Sequence, residues 1–200
     1  MKILIIGGTG TIGTAVVENL KRRHEIIIAS LKSGDVEVDI AHPESIKKMY
    51  AQVGKVDAVI ATVGATHFGK LTEMTDKQFR VGINGKLMGQ INLVLQGINH
   101  VNDNGSFTLT TGILNDEPIP GAVNSATANA GIEGFAKAAA QELPRGIRIN
   151  VVSPTVITEA MDKFAAIFRG YKPVPAAEAA LAYEKSVEGL QTGKVFKVGY

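Results

Sequence analysis

A chain of 200 residues, 45% hydrophobic and 20% charged, suits a single soluble domain (1–200) with enough length to bury a sizeable core. Its 21 basic and 19 acidic side chains leave a net charge of +2 with no block of one sign, which argues against a nucleic-acid or membrane-surface partner. Cysteine is absent, which excludes disulfides, thiolate chemistry and zinc–cysteine sites, and the four histidines (24, 42, 67 and 100) have no metal-ligand spacing, so no metal is expected.

The first apolar run, 2–6, reads as a strand. It is too short to span a membrane and lacks a signal-peptide core and cleavage site, so a cytoplasmic protein is expected. The run breaks into Gly7-Gly8-Thr9-Gly10-Thr11-Ile12-Gly13, and a helical pattern follows over 11–23. Strand, glycine turn and helix in that order form a cradle for a dinucleotide diphosphate. Gly7 allows the sharp turn, Gly10 lets the backbone approach the anion, and Gly13 lets the helix pack on the sheet. Lys21-Arg22-Arg23 complements the dipole at that helix's end.

Strands are predicted next at 25–29 and 36–38, then a helix over 43–53 with Pro43 in its first turn and Gly54 after its end. A strand at 58–61 precedes a long helix over 75–99, with Asp76 near its start. A strand at 106–110, an irregular segment over 112–121 and a helix over 123–143 follow. The chain closes with a strand at 148–152, an irregular segment over 158–174, a helix over 175–189 and a strand at 194–198. Several strands are almost continuously apolar, as in parallel sheets covered on both faces. The alternation predicts an α/β fold: a doubly wound parallel sheet of about seven strands with helices on both faces, in three αβα layers. The two irregular segments follow strands, at the carboxyl edge where such sheets bind ligands.

Several segments together resemble the short-chain dehydrogenase/reductase family over essentially the whole chain. They are the glycine turn, Val38-Asp39-Ile40, Val56-Asp57-Ala58-Val59-Ile60-Ala61-Thr62-Val63-Gly64 and Gly105-Ser106-Phe107-Thr108-Leu109-Thr110-Thr111. Gly146-Ile147-Arg148-Ile149-Asn150-Val151-Val152-Ser153-Pro154 and Thr192-Gly193-Lys194-Val195-Phe196-Lys197-Val198-Gly199 complete the set. The resemblance implies a Rossmann-like fold and a nicotinamide cofactor. Gly7, Thr9, Gly10, Thr11, Ile12 and Gly13 are its expected diphosphate loop, and Asp39 and Ile40 its expected adenine contacts. Thr62, Val63, Gly64, Pro154 and Val156 are further expected contacts. The second strand ends Ala29-Ser30-Leu31-Lys32-Ser33 without the carboxylate usual for NAD. Ser30 and Lys32 suit a 2′-phosphate, so NADP is preferred over NAD.

Departures from the family's pattern bear on catalysis. Its Gly-x-x-x-Gly-x-Gly becomes Gly7-x-x-x-Thr11-x-Gly13, and the fourth-strand asparagines become Ala61 and Thr62. Registered on Ile132-Glu133-Gly134-Phe135, the catalytic Tyr-x-x-x-Lys falls on Ser125 and Asn129. A serine hydroxyl is far less acidic than a phenol of pKa about 10, and Asn129 has no charge to assist it. Counting from Phe79, the family's active-site asparagine falls on Lys86, while Asn84 points elsewhere. Lys86 is either a lysine beside the nicotinamide ribose or a solvated surface lysine. Thr111, at the family's serine, either bonds and polarises a carbonyl oxygen or merely ends a strand. Thr111, Lys86, Asn129 and Ser125 are therefore the catalytic candidates.

Tyr171 or Tyr183 is a further source for the missing phenol, and Asp116 and Glu117 are loop acids edging the cleft. In the loop after Pro154, Thr155 replaces a glycine, and Glu159 falls near the family's later threonine. Met161, Phe164, Ile167, Phe168 and Tyr171 either cover a pocket or pack on the domain. The alanine-rich stretch 126–140 suits close helix approach and, by the family's habit, a homo-oligomer. The expectation is an oxidoreductase with an altered catalytic set acting on a small carbonyl or alcohol. The alternative is a non-catalytic NADP-binding sensor or scaffold.

Overall fold

A computed structural model describes residues 1–200. The elements begin with β1 (Lys2–Ile6), α1 (Thr11–Leu20), β2 (Glu25–Ser30), β3 (Val36–Glu37), α2 (Pro43–Val53) and β4 (Val56–Ala61). They continue with α3 (Asp76–Gly82), α4 (Gly89–Gly97), β5 (Val101–Thr110), α5 (Val123–Ala139) and β6 (Arg148–Pro154). The last are α6 (Met161–Phe164), α7 (Ala176–Glu188) and β7 (Val195–Val198). The strands form one parallel sheet in the order β3-β2-β1-β4-β5-β6-β7.

Side-chain alternation along β1 explains the three layers. Ile3 and Ile5 enter one core with Val16 and Leu20 of α1 and Ala179 and Tyr183 of α7. Leu4 and Ile6 enter the other with Ile46 and Met49 of α2, Leu93 of α4 and Ile132 of α5. These four β1 residues are at most 1% exposed, so helices cover both faces. Burying each such side chain contributes about 1.5–3 kcal/mol. The strand order reverses at β1, which pairs with β2 on one side and β4 on the other. A crevice opens there at the carboxyl ends of the strands.

Several elements differ from the sequence expectation. The single helix expected over 75–99 is divided, because a π-helical turn, Ile83–Met88, joins α3 to α4. Thr75 starts α3 with a capping box, its hydroxyl accepting the Gln78 amide while the Gln78 side chain accepts the Thr75 amide. β5 starts at Val101, five residues before the expected strand. Asn102 and Asp103 are polar, but Val101 pairs with Val56 and Asn102 Nδ2 donates to Asp57 Oδ1 at 2.7 Å. Helices α1 and α5 end at Leu20 and Ala139, short of the expected 23 and 143, and Pro175 is the N-cap of α7 rather than part of its first turn.

Candidate functional site

Two cavities open at the carboxyl edge of the sheet. The first, of about 490 Å³, is bordered by Gly7, Thr9, Gly10, Ser30, Lys32, Asp39, Ile40 and Thr62 to Gly64. Its floor is the turn between β1 and α1. Gly7 has a φ of 84°, and its amide donates to Ala29 O at 2.7 Å, joining the turn to β2. A Cβ on Gly13 would lie 2.0 Å from Gly7 O, so only glycine lets α1 sit this close. Gly13 borders neither cavity. Expected both in the diphosphate loop and as the glycine that packs the helix on the sheet, it is the packing contact that shapes the loop. Gly10 caps α1 without a side chain, so no hydroxyl or carboxylate takes the helix's first amides.

On the outer wall, Lys32 is exposed and makes no ion pair. Ser30 Oγ accepts the Ser33 amide at 3.0 Å. The Asp39 carboxylate accepts the Ala41 amide at 2.9 Å and lies 3.0 Å from His42 Nδ1. Opposite, the Thr62 hydroxyl donates to Ile6 O at 3.1 Å and ties β4 to β1.

The second cavity, of about 290 Å³, brings together all four catalytic candidates, Lys86, Thr111, Ser125 and Asn129, with Thr11, Ile12, Pro154 and Val156. Phe68, Ile113, Leu114, Ile157, Phe164 and Phe168 supply apolar walls. Lys86 arrives from the π-helical turn and is half-buried, whereas Asn84 of the same turn is exposed. Its stem crosses a gap that Gly64 leaves open: a Cβ there would lie 2.4 Å from Lys86 Cγ. Lys86 Nζ donates to Thr111 O at 3.4 Å and has no carboxylate partner. Burial lowers its pKa from 10.5 to about 8. Of the two expectations for this residue, the solvated surface lysine does not hold.

Asn129 is 1% exposed. Its Nδ2 donates to Gly112 O at 3.0 Å, which fixes the amide's orientation, and its buried Oδ1 has no partner. The Ser125 side chain makes no hydrogen bond within the protein and is 5% exposed. The Thr111 hydroxyl, also 5% exposed, donates to Glu133 Oε1 at 3.2 Å.

None of the four tyrosines borders either cavity. Tyr183 is fully buried in the α7 core, where its hydroxyl lies 2.6 Å from Thr110 Oγ1. Because the Thr110 hydroxyl donates to Ala61 O, Tyr183 is the donor of that pair. Tyr171 donates to Glu117 O at 3.2 Å. Neither supplies a phenol to the cavity. Asp116 is engaged away from it, accepting from Tyr200 and Lys197 at 3.1 Å each. Glu159 accepts the Ala176 amide at the start of α7. In the segment after β6, Phe164 and Phe168 border the cavity, whereas Met161 and Tyr171 pack on the small core behind it.

Other residues support the site without having been legible in the sequence. Gln90, fully buried, donates to Val63 O at 3.2 Å and Thr110 O at 2.8 Å and accepts the Thr110 amide at 2.8 Å. It thereby locks together the ends of β4 and β5, beside Val63 of the first cavity and Thr111 of the second. Asn124 accepts the His67 amide and donates to Phe79 O, which holds the loop carrying Thr66 and Phe68 against α3 and α5. No helix is long and apolar enough to cross a membrane.

Comparison with known proteins agrees with this architecture. A family model described as enoyl-(acyl carrier protein) reductase matches residues 7–188. The 3-oxoacyl-[acyl-carrier-protein] reductase FabG of Staphylococcus epidermidis is 28% identical over 154 residues, 74% of this chain, and the match spans only 61% of that relative's length. The crystal structure of lin1944 from Listeria innocua is 55% identical, covers 99% of both chains and superposes with a TM-score of 0.98. A small-chain dehydrogenase solved in complex with NADPH is 26% identical, with a TM-score of 0.88 over 99% of this chain and 96% of that one. With nearly its whole length matched by the family model, and its sheet shared with that dehydrogenase, the chain belongs to the short-chain dehydrogenase/reductase family.

Proposed function

We propose that this protein is an NADP-dependent oxidoreductase that interconverts a small uncharged carbonyl compound and its alcohol, with Lys86 serving where the family uses a phenol. The observation that carries this reading is the Lys86 ammonium itself. It enters a cavity shared with Thr111, Ser125 and Asn129 and has no carboxylate to neutralise it. The residues fit a nicotinamide dinucleotide. The glycine turn and the uncapped start of α1 suit its diphosphate, and the unpartnered Asn129 Oδ1 suits a ribose hydroxyl. Ser30 and the unpaired Lys32 suit a 2′-phosphate, Asp39 and Ile40 border the adenine end, and Thr62, Val63 and Gly64 form the inner wall. Thr11, Ile12, Pro154 and Val156 border the nicotinamide end. The NADPH complex of the 26% identical dehydrogenase supports the same choice of cofactor.

When bound, the nicotinamide supplies or receives the hydride. The chain's own residues orient the oxygen and handle the proton. Lys86, with a pKa of about 8, holds a proton at neutral pH and releases it within the working range of a general acid. The apolar walls from Phe68, Phe164 and Phe168 exclude water and carry no second charge, which favours an uncharged substrate. A homo-oligomer belongs to the same reading. An apolar groove between α4 and α5 is bordered by Val94, Leu95, Ile98, Phe135 and Leu143, and Leu95 is 57% exposed.

One observation favours a second reading, a non-catalytic NADP-binding sensor: no tyrosine borders the cavity. Consumption of NADPH with cyclohexanone and related uncharged ketones separates the two. The enzyme reading expects turnover that Lys86→Met lowers about 100-fold in kcat/KM, as loss of a general acid does, while NADPH binding stays within about threefold. NADPH binding without turnover on any such ketone supports the sensor, and turnover untouched by Lys86→Met removes the role given to that lysine.

A further inference from the structure

Behind Thr111 lies a carboxylate that the proposed chemistry leaves unused. Glu133, on α5, is 7% exposed and does not border the cavity. Its Oε1 accepts the Thr111 hydroxyl at 3.2 Å and Asn115 Nδ2 at 3.1 Å, and its Oε2 lies 3.9 Å from Lys137 Nζ. Two donors on one oxygen and an ammonium near the other are the surroundings of an ionised carboxylate, which accepts hydrogen bonds and cannot donate them. Thr111 has a single hydroxyl proton. With that proton given to Glu133, all that the Thr111 oxygen can offer the cavity its residue borders is lone pairs. A ketone oxygen, itself an acceptor, then finds no donor at Thr111. The hydroxyl of an alcohol finds an acceptor. While its proton lies on the bond to Glu133, Thr111 cannot also donate to a carbonyl, the role its position suggests.

We propose that Glu133 is a positioning residue that makes Thr111 a hydrogen-bond acceptor, so that the site holds the alcohol of a carbonyl/alcohol pair more tightly than the carbonyl. The substrate pair rests on the oxidoreductase reading, whereas the location of the Thr111 proton does not. Lys86, an ammonium with only a 3.4 Å bond to Thr111 O, is then the donor that meets a carbonyl oxygen. Lys86 gives hydrogen bonds and Thr111 receives them, whereas the free Ser125 hydroxyl can do either and so does not set the preference. The cavity's aromatic walls make cyclohexanol and cyclohexanone suitable matched probes, since they differ in little but the hydrogen on the oxygen.

Neutron diffraction from crystals of the deuterated protein reads the proton directly. The Thr111 deuteron is expected on the line to Glu133 Oε1, and a deuteron aimed into the cavity overturns the proposal. Titration of both probes by ligand-observed NMR reads its consequence. Thr111→Val is expected to weaken cyclohexanol about fivefold, roughly the worth of one hydrogen bond, and to leave cyclohexanone within about twofold. An equal loss for both, or none for the alcohol, overturns it. Glu133→Gln keeps an accepting oxygen and is expected to keep the wild-type ratio of the two affinities. Glu133→Met frees the proton and is expected to shift that ratio about fivefold toward the ketone. The shift is expected to vanish in a Thr111→Val background, and a shift that persists there means Glu133 acts by another route. The neutron result needs no cofactor, so NADPH binding on the same preparation tells failure of this proposal from failure of the oxidoreductase reading.

Discussion

In the proposed function Lys86 is the residue on which the chemistry turns, and its ionisation gives a pH dependence with a definite sign. Burial disfavours its charged form and lowers its pKa to about 8. Below that value the ammonium can give a proton to the oxygen formed on carbonyl reduction. Above it the amine can take one from an alcohol. Ketone reduction is therefore expected to fall about tenfold per pH unit above about pH 8, while alcohol oxidation rises to that point and levels off. Steady-state rates from pH 6 to 10 check this, and a Lys86→Met profile that keeps the same break contradicts it. In the proposed function Lys32 carries the preference for the phosphorylated cofactor. Lys32→Glu is expected to weaken NADPH about tenfold or more and to leave NADH within about twofold, because an exposed lysine–phosphate contact is replaced by like-charge repulsion. Fluorescence titration with both dinucleotides reads the difference.

At the scale of elements, the site depends on how closely α1 approaches the end of β1. Gly13→Ala sets a methyl 2.0 Å from Gly7 O, and neither backbone has a flexible end that can yield. The cost is expected to be about 1–3 kcal/mol, which lowers Tm by roughly 3–10 °C and weakens NADPH as the loop opens. Differential scanning calorimetry with and without NADPH reads both effects. The close approach was legible from glycine spacing alone, as were most strands, because buried parallel strands are runs of apolar residues. The first half of β5 was not legible, since Asn102-Asp103-Asn104 looks like a loop and lies in an irregularity between the β4 pairings of Val101 and Ser106. Counting from Phe79 reached Lys86, yet the π-helical turn and the gap at Gly64 that bring it into the cavity are tertiary features. Glu133 served only as a register mark. Nothing local tells a helix carboxylate on the solvent side from one folded under Thr111. Phe68 lies in a loop without periodicity, and Asn124 is what holds that loop in place.

For the molecule as a whole, one sheet does the organising. Its order reverses at β1, so the ends of β1, β2 and β4 open toward the larger cavity, and the ends of β5 and β6 toward the smaller. Thr9 and Gly10 border the first cavity and Thr11 and Ile12 the second, so a single turn serves both. A dinucleotide laid along this edge would run from Asp39 past the α1 amides to Lys86. Isothermal titration calorimetry of the intact protein with NADPH and NADH tests this most directly. One NADPH per chain is predicted to bind with Kd of about 1–100 µM, roughly tenfold or more tighter than NADH. Absence of binding heat from either dinucleotide at several temperatures, on protein that melts cooperatively and whose Tm neither dinucleotide moves, would contradict it.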